Sequence, residues 1–332
     1  MRIAIVKLSA LGDIIHAMVI LQYVKKFNKE IIIDWIVEER YTELLNNNPH
    51  INKVHSINLK KAKKKRSLNI LISELLKLRK IGSYDIVIDM QGLTKSAICA
   101  WLIPSLSTLG FDKDSSRERF ASFFYTNTFN FGYEENVVVR NFEIIKYSMG
   151  FLFNQSEIQS KEPFVFPSKK FEYFQLSNVK KNVVIIPGAS HQSKLYPTNK
   201  FVKLTQSIDA NFIVIWGSEI EKNLAKEIKV SSPRVNITDK LSIDQLISLI
   251  SQVDLVIGAD TGPTHLAWAL NIPSISLFGS TPGYRNTYGT KINKILESKS
   301  IVNPLNIIKN DYSIKNIEVQ EIVKIASLFL KK

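Results

Sequence analysis

The 332-residue sequence has a single cysteine, Cys99. This excludes an intrachain disulfide framework and a cysteine-based zinc site, and it fits a reducing compartment. Runs of about eighteen consecutive apolar residues are also missing, so no segment reads as a membrane-spanning helix. The amino terminus, MRIAIVKLSALGDIIHAMVILQYVKK, has the outline of a secretory signal. Its apolar run is broken by Lys7, Asp13 and His16, which an apolar signal core would not carry. The expectation is a protein that works in the cytoplasm. There is no G-x-G-x-x-G and no G-x-x-x-x-G-K-[ST], which argues against a dinucleotide dehydrogenase and a P-loop NTPase. Low-complexity tracts are absent too, which argues against disorder.

What is present is a globular composition, 45% hydrophobic and 10% aromatic, in a chain long enough that two domains are expected. The formal net charge is +14. Nucleic acid, an anionic membrane surface or an anionic small molecule would each account for such an excess. Residues 51–100 hold 11 Lys/Arg against 3 Asp/Glu, densest in KKAKKKR (Lys60 to Arg66). Such a run reads first as a solvated face or loop. No basic stripe is interleaved with aromatics, and no nucleic-acid-binding motif is present, so nucleic acid is the weakest of the three partners.

Short β-branched runs alternate with helical patterns. RIAIV, IIIDWIV, KVHSI, YDIVIDM and STLGF read as strands in the first half, with helices between them, the first being GDIIHAMVILQYVKKF. The alternation lapses in SKEPFVFPSKKFEYFQLSN and resumes with NVVIIPG, NFIVIWG, DLVIGA and PSISLFG. Continuous apolar strands separated by helices signal parallel sheets covered on both faces. The fold class is α/β, with two doubly wound halves. The expected boundaries are an N-terminal domain at 1–160, a linker at 161–178, a C-terminal domain at 179–312 and a closing helix at 313–332 that packs back toward the N-terminal domain. In such sheets ligands sit beyond the carboxyl ends of the strands.

Four strand-end loops carry chemistry. In KLSALGD, Asp13 opens a helix, either as an N-cap or as a carboxylate able to take a proton from a hydroxyl. IIPGASHQSKLYP offers Ser190 and Lys194, a hydroxyl and a compact cation suited to phosphate. IWGSEIEKN brings Glu219 and Glu221, which serve as helix-dipole partners or as acceptors for ribose hydroxyls. LVIGADTGPTHLAWAL turns through Asp260, Thr261 and Gly262, with Pro263 placed at the first helical position. The amides of that helix start form an anion site, and His265 faces either ligand or core. No His/Asp/Glu cluster has convincing metal-ligand spacing. The D-x-D match at Asp112–Asp114 sits in a charged loop, so no metal is expected.

Five stretches, IVKLSALGDIIH, IDWIVEE, IDMQGLTKSA, SRERFASFFY and GADTGPTHLAWAL, fall in order along the chain and resemble the lipopolysaccharide heptosyltransferases of glycosyltransferase family 9. The wording is closest to members that add the first heptose of the inner core, ahead of those that extend from a heptose. The resemblance implies the GT-B fold, two Rossmann-like domains with an intervening cleft. It implies inverting, metal-independent transfer from ADP-L-glycero-β-D-manno-heptose, a substrate and not a cofactor, to the first Kdo of Kdo-lipid A. It also implies work at the cytoplasmic face of the inner membrane, as a peripheral protein against an anionic lipid surface. By that resemblance Asp13 is the catalytic base. Ser190, Lys194, Glu221, Asp260, Thr261, Gly262 and His265 bind the donor, with Glu219 close enough to leave the ribose contact open. Lys60, Lys63, Lys64 and Arg117 bind the acidic acceptor. Relatives tend to carry two adjacent hydroxyl residues in the loop before Lys194; here Ala189 leaves only Ser190.

Overall fold

A computed structural model describes residues 1–150, 154–308 and 310–331. The chain divides into two compact units, Met1–Phe164 and Val165–Lys332. In the first, the strands are β1 (Arg2–Val6), β2 (Ile32–Glu38), β3 (Lys53–Ile57), β4 (Tyr84–Asp89), β5 (Ser105–Phe111) and β6 (Asn127–Phe129). They form one parallel sheet in the order β3-β2-β1-β4-β5-β6. The second unit contains β7 (Asn182–Ile186), β8 (Asn211–Val214), β9 (Asn236–Ile237), β10 (Leu255–Ala259), β11 (Ser274–Phe278) and β12 (Asn293–Glu297). Its sheet runs β12-β11-β10-β7-β8-β9, again all parallel. Each unit therefore has the 3-2-1-4-5-6 order of a dinucleotide-type doubly wound sheet, whose topological switch lies between its first and fourth strands.

Sequence and burial agree most closely in the central strands. NVVII, LVIGA and SISLF are buried at every position, as expected where helices cover both faces. The strands that the periodicity does not reveal are β6, β9 and β12, and these lie at sheet edges. They are short or rich in polar residues and carry no continuous apolar run. At the opposite end of the first sheet, Asp34 of β2 accepts from Arg2 Nη2 (2.7 Å), Asn52 Nδ2 (2.7 Å) and Tyr84 Oη (2.7 Å), fastening β1, β2 and β4 together.

Two local expectations change. The helix expected across GDIIHAMVILQYVKKF is two helices, Leu11–Met18 and Ile20–Phe27. Val19 between them keeps right-handed helical dihedrals (φ −56°, ψ −28°), so the hydrogen-bond ladder is interrupted without a turn. The basic run is not a loop but a helix, Leu59–Lys65. Asn58 caps it through its side chain, Ala62 anchors it, and Arg66 ends it in the left-handed region at φ 48°. The closing helix, Val319–Leu330, contributes to the core of the second unit. Val319, Ile322 and Ala326, with Ile314 and Ile317 before it, lie in the core of the second unit beside Leu255, Ile257, Ile275 and Leu277. The apolar side of VQEIVKIASLF matches that sheet face and is used up there. The capping box read at Ser242 and Gln245 is present, Ser242 Oγ accepting from Gln245 N and Gln245 Oε1 accepting from Ser242 N.

Candidate active site

In the second unit three strand-end loops converge on one carboxylate. Asp260 is the first residue after β10. Its Oδ2 accepts from Lys194 Nζ (2.6 Å), which a short 3-10 turn after β7 delivers. The same oxygen accepts from Thr281 Oγ1 (3.0 Å) and Asn286 Nδ2 (3.3 Å), both beyond β11. Its Oδ1 faces His265 Nε2 at 3.1 Å. Oδ2 thus gathers three donors and Oδ1 one, so most of the carboxylate's roughly four lone-pair sites are taken by the protein. Burial pushes the Asp260 carboxyl up, but the His265 hydrogen bond and the Lys194 charge outweigh it and hold the group well below the usual carboxylate range. Asp260 is thus a fixed negative charge whose work is to aim a lysine, a histidine and two smaller donors.

The helix after it, Gly262–Ala269, has Thr261 as its N-cap. Pro263 is the second helical residue, one later than expected, and its missing N–H is still harmless there. Thr264 N and His265 N both donate to Thr261 O, so the amides left for an anion are those of Thr261 and Gly262. Thr264 Oγ1 donates to Ala259 O (2.8 Å) and lies 3.2 Å from Thr261 Oγ1. That close approach is possible because β10 has Gly258, where a Cβ would sit 2.7 Å from the Thr264 hydroxyl. His265 is buried, with its Nε2 held against Asp260 Oδ1.

Glu219 and Glu221 behave differently. Glu219 is exposed, with only Lys222 4.0 Å away. Glu221 folds back onto the strand ends, its Oε2 accepting from Gly217 N at 2.6 Å. A Cβ at Gly188, just after β7, would collide with it. Glu221 therefore stands at the mouth of β7 and β8. Ser190 is exposed in the same loop, whereas Ser193 is buried and accepts from Ser280 Oγ at 3.1 Å.

In the first unit Asp13 is exposed at the carboxyl end of β1. It is the third residue of Leu11–Met18 and not its N-cap, which is Ala10. Its Oδ2 accepts from Ala10 N at 3.0 Å, so the carboxylate satisfies a helix-start amide and keeps its other oxygen available. The loop around it is braced by Gln91, whose Oε1 accepts from Leu8 N (2.7 Å) and Ser9 N (3.2 Å). Lys95 Nζ donates to Ser9 Oγ at 3.2 Å. Glu38, at the end of β2, is buried. Burial pushes its carboxyl up, opposed by the charge of Lys95 and by the backbone of Lys60. Lys60, Lys63 and Lys64 are exposed at i, i+3, i+4 spacing and so share a helix face. Arg117 is exposed beside Glu118, which accepts from Thr94 N at 2.8 Å. The Asp112–Asp114 segment is a satisfied turn: Asp112 accepts from Asp114 N, Ser115 N and Asn130 Nδ2. Among the described residues no group of three or more His, Cys, Asp or Glu is placed to hold a metal ion.

Comparison with known proteins decides the family. Residues 74–302 match the model of glycosyltransferase family 9 (heptosyltransferase). Lipopolysaccharide heptosyltransferase 1 of Campylobacter coli is 41% identical, over 98% of this chain and 98% of its own. The chain belongs to glycosyltransferase family 9. Lipopolysaccharide heptosyltransferase 1 of Escherichia coli K12 is 26% identical over 87% of this chain and 91% of its own. The structure of the E. coli heptosyltransferase WaaC with ADP superposes with a TM-score of 0.80 at 22% identity, covering 99% of this chain and 100% of that one. E. coli ADP-heptose lps heptosyltransferase II gives 0.71 at 19% identity, over 100% and 99%. These last two likenesses are of fold, and with the two parallel sheets they establish the GT-B architecture.

As a heptosyltransferase, the chain is an enzyme that moves a heptosyl group. Sequence reasoning missed the loop after β11, which supplies Ser280, Thr281 and Asn286. Its signal was available, because LFGSTPGYRN has the same apolar strand followed by small and hydroxyl residues as the loops after β7 and β10. Lys95 was overlooked inside a stretch already singled out, IDMQGLTKSA.

Proposed function

We propose that this heptosyltransferase transfers L-glycero-D-manno-heptose from ADP-heptose to the first Kdo of Kdo-lipid A, with inversion and without a metal ion, at the cytoplasmic face of the inner membrane. The acceptor hydroxyl oxygen attacks the anomeric carbon of the heptose as the bond from that carbon to the ADP oxygen breaks. The hydroxyl proton passes to the Asp13 carboxylate, and ADP leaves carrying the negative charge. A positioned base of this kind contributes about 10²–10⁴-fold. The departing diphosphate is met by Lys194 and by the amides of Thr261 and Gly262, and the ribose by Glu221. Loss of one fixed donor at a developing anion costs roughly 3–4 kcal/mol in comparable sites, so both halves of the reaction depend on the protein. Lys60, Lys63, Lys64 and Arg117 supply cations for the Kdo carboxylate and lipid A phosphates.

The observation that carries the reading is the Asp260 cluster. A largely shielded carboxylate that takes three protein donors on one oxygen and His265 on the other serves to present Lys194 toward an anion beside two unpaired helix-start amides. The relatives support the substrates, since WaaC has been solved with ADP and with ADP-2-deoxy-2-fluoro heptose.

The test is to give purified protein ADP-heptose with either Kdo-lipid A or its heptose-bearing product, in the presence of a chelator, and to follow ADP release and product mass. Heptosyl transfer to the Kdo acceptor is expected. Turnover only on the heptose-bearing acceptor would reassign the step to the second heptose, and loss of turnover on chelation would overturn the metal-free mechanism.

A further inference from the structure

The helix Leu68–Leu78 carries apolar residues on two sides: Leu78 is buried and Leu75 packs on the core, but a second set faces outward. Glu74 is buried, accepting from Asn58 N (2.9 Å) and Lys77 Nζ (2.5 Å), while Leu68, Ile72 and Leu76 are 73%, 53% and 49% exposed. These three recur every fourth residue and form a single stripe along the helix. Ile72 and Leu76 also line a surface depression with Asn69, Ser73, Lys77 and Lys80. The basic helix Leu59–Lys65 packs against this one, and so does Thr94–Leu102, which in turn packs on the 3-10 segment Arg119–Phe124. Those neighbours add Trp101, Phe120 and Phe123 to the exposed apolar surface. Between residues 59 and 81 there are nine Lys/Arg and one acidic residue, the buried Glu74.

A contiguous exposed apolar patch of this kind marks a docking surface, and the charge beside it selects the occupant. An apolar stripe within a stretch, residues 59–81, that has nine cations and no exposed acidic residue complements a bilayer surface of anionic lipids. The leucines can enter the headgroup–acyl boundary while lysines meet lipid phosphates. We propose that the Leu68–Ile72–Leu76 stripe of the first unit is a membrane-docking face that inserts apolar side chains into an anionic bilayer. The proposal rests on the reading that the acceptor is lipid-linked, and it adds that adhesion is hydrophobic as well as electrostatic.

The experiment compares the whole enzyme with Ile72→Asp/Leu76→Asp, and with the milder Ile72→Ser/Leu76→Ser in case the carboxylates disturb folding. Co-sedimentation is measured with vesicles of phosphatidylglycerol and phosphatidylcholine in equal parts, and with phosphatidylcholine alone. The expected result is binding to the mixed vesicles that partly survives about 0.5 M salt and falls about tenfold or more in the Asp pair. Activity on an acceptor freed of its acyl chains should be unchanged in both variants, while activity on vesicle-embedded acceptor falls with binding. Unaltered vesicle binding by the variants overturns the proposal, as does wild-type binding that salt abolishes completely. A wild-type dimer that the variants dissolve without loss of vesicle binding assigns the stripe to a second copy of the chain and overturns it as well. Failure of the wild-type enzyme on the soluble acceptor would count against the proposed reaction and leave the vesicle result standing.

Discussion

β4 and β10 are the fourth strands of their respective sheets, each paired with the first, and each ends in an aspartate with a distinct set of partners. Asp89, at the end of β4, is fully buried among neutral donors: Gln91 N (2.8 Å), Ser96 Oγ (2.7 Å) and Tyr125 Oη (2.7 Å). Burial is the largest influence and pushes its carboxyl up. Asp260 meets Lys194 and His265 instead, and is held well below the usual range. The same topological position thus serves in one unit to brace a loop and in the other to aim charge. Doubly wound sheets bring loops together at this point regardless of chemistry. The partners determine whether the convergence becomes a strut or an anion site.

The largest effect should come from the unit whose carboxylate is exposed. Asp13→Asn keeps an oxygen for Ala10 N and removes the ability to accept the acceptor's proton. A fall in kcat of about 10²–10⁴-fold is expected, with the ADP dissociation constant from calorimetry unchanged. An undiminished kcat would remove Asp13 from the chemistry. The complementary change in the second unit is Lys194→Ala. Loss of a charge-assisted hydrogen bond is worth about 1.5–3 kcal/mol, so ADP should bind roughly 10–100-fold more weakly. An affinity within twofold of the wild type would mean that Lys194 serves only to neutralise Asp260.

The pair of aspartates can be separated by acid. Asp260 has a depressed folded pKa, so its stabilisation is present above the unfolded carboxylate value of about 3.9 and is lost as pH falls toward the folded one. Asp89 is raised, so its penalty on the folded state builds as pH rises from the unfolded value of about 3.9 toward the folded one. Asp260→Asn should therefore destabilise by about 2 kcal/mol near neutrality, with the gap to wild type narrowing below about pH 4. Asp89→Asn should lie within about 1 kcal/mol of the wild type at neutral pH, since Ser96 and Tyr125 can reorient their hydroxyls. Urea midpoints across that range check both, and parallel pH profiles for the two variants would erase the distinction.

Legibility followed burial and charge. The central strands were plain because each is an uninterrupted apolar run, and the chemically loaded strand-end loops were plain because small residues, a turn and a helix start coincide in IIPGAS and GADTGP. Edge strands such as Asn127–Phe129 were not, because their pairing is supplied by a neighbour and not by their own pattern. The role of Asp260 was also hidden. Its place after β10 was readable, but that it gathers Lys194, His265, Thr281 and Asn286 is a fact of three loops meeting. The second apolar side of Leu68–Leu78 was invisible for a related reason. ELLKL reads as an ordinary amphipathic helix, and only the structure shows Leu78 buried with Glu74 while Leu76 is exposed.

The smallest predicted effect addresses the two glutamates that the sequence left in competition. Both lie in the first turn of the helix Glu219–Ser231 and both complement its dipole, so deleting either carries the same modest stability cost, roughly 0.3–1 kcal/mol. They differ in where the carboxylate goes. Glu221 Oε2 is held by Gly217 N over the ends of β7 and β8, and Gly188 leaves it the space to lie there, whereas Glu219 points into solvent. A hydrogen bond to a ribose hydroxyl has a net worth of about 0.5–1.5 kcal/mol. Glu221→Ala should therefore weaken ADP binding roughly 2–10-fold, and Glu219→Ala should leave it unchanged at equal cost to the unfolding midpoint. Ribose 5-phosphate and inorganic pyrophosphate as competitors sharpen the reading, because only the sugar-bearing competitor should lose affinity with Glu221. Equal loss for both competitors would show that the carboxylate acts by shaping the loop after β7, and the ribose contact would then have to be sought elsewhere on that sheet.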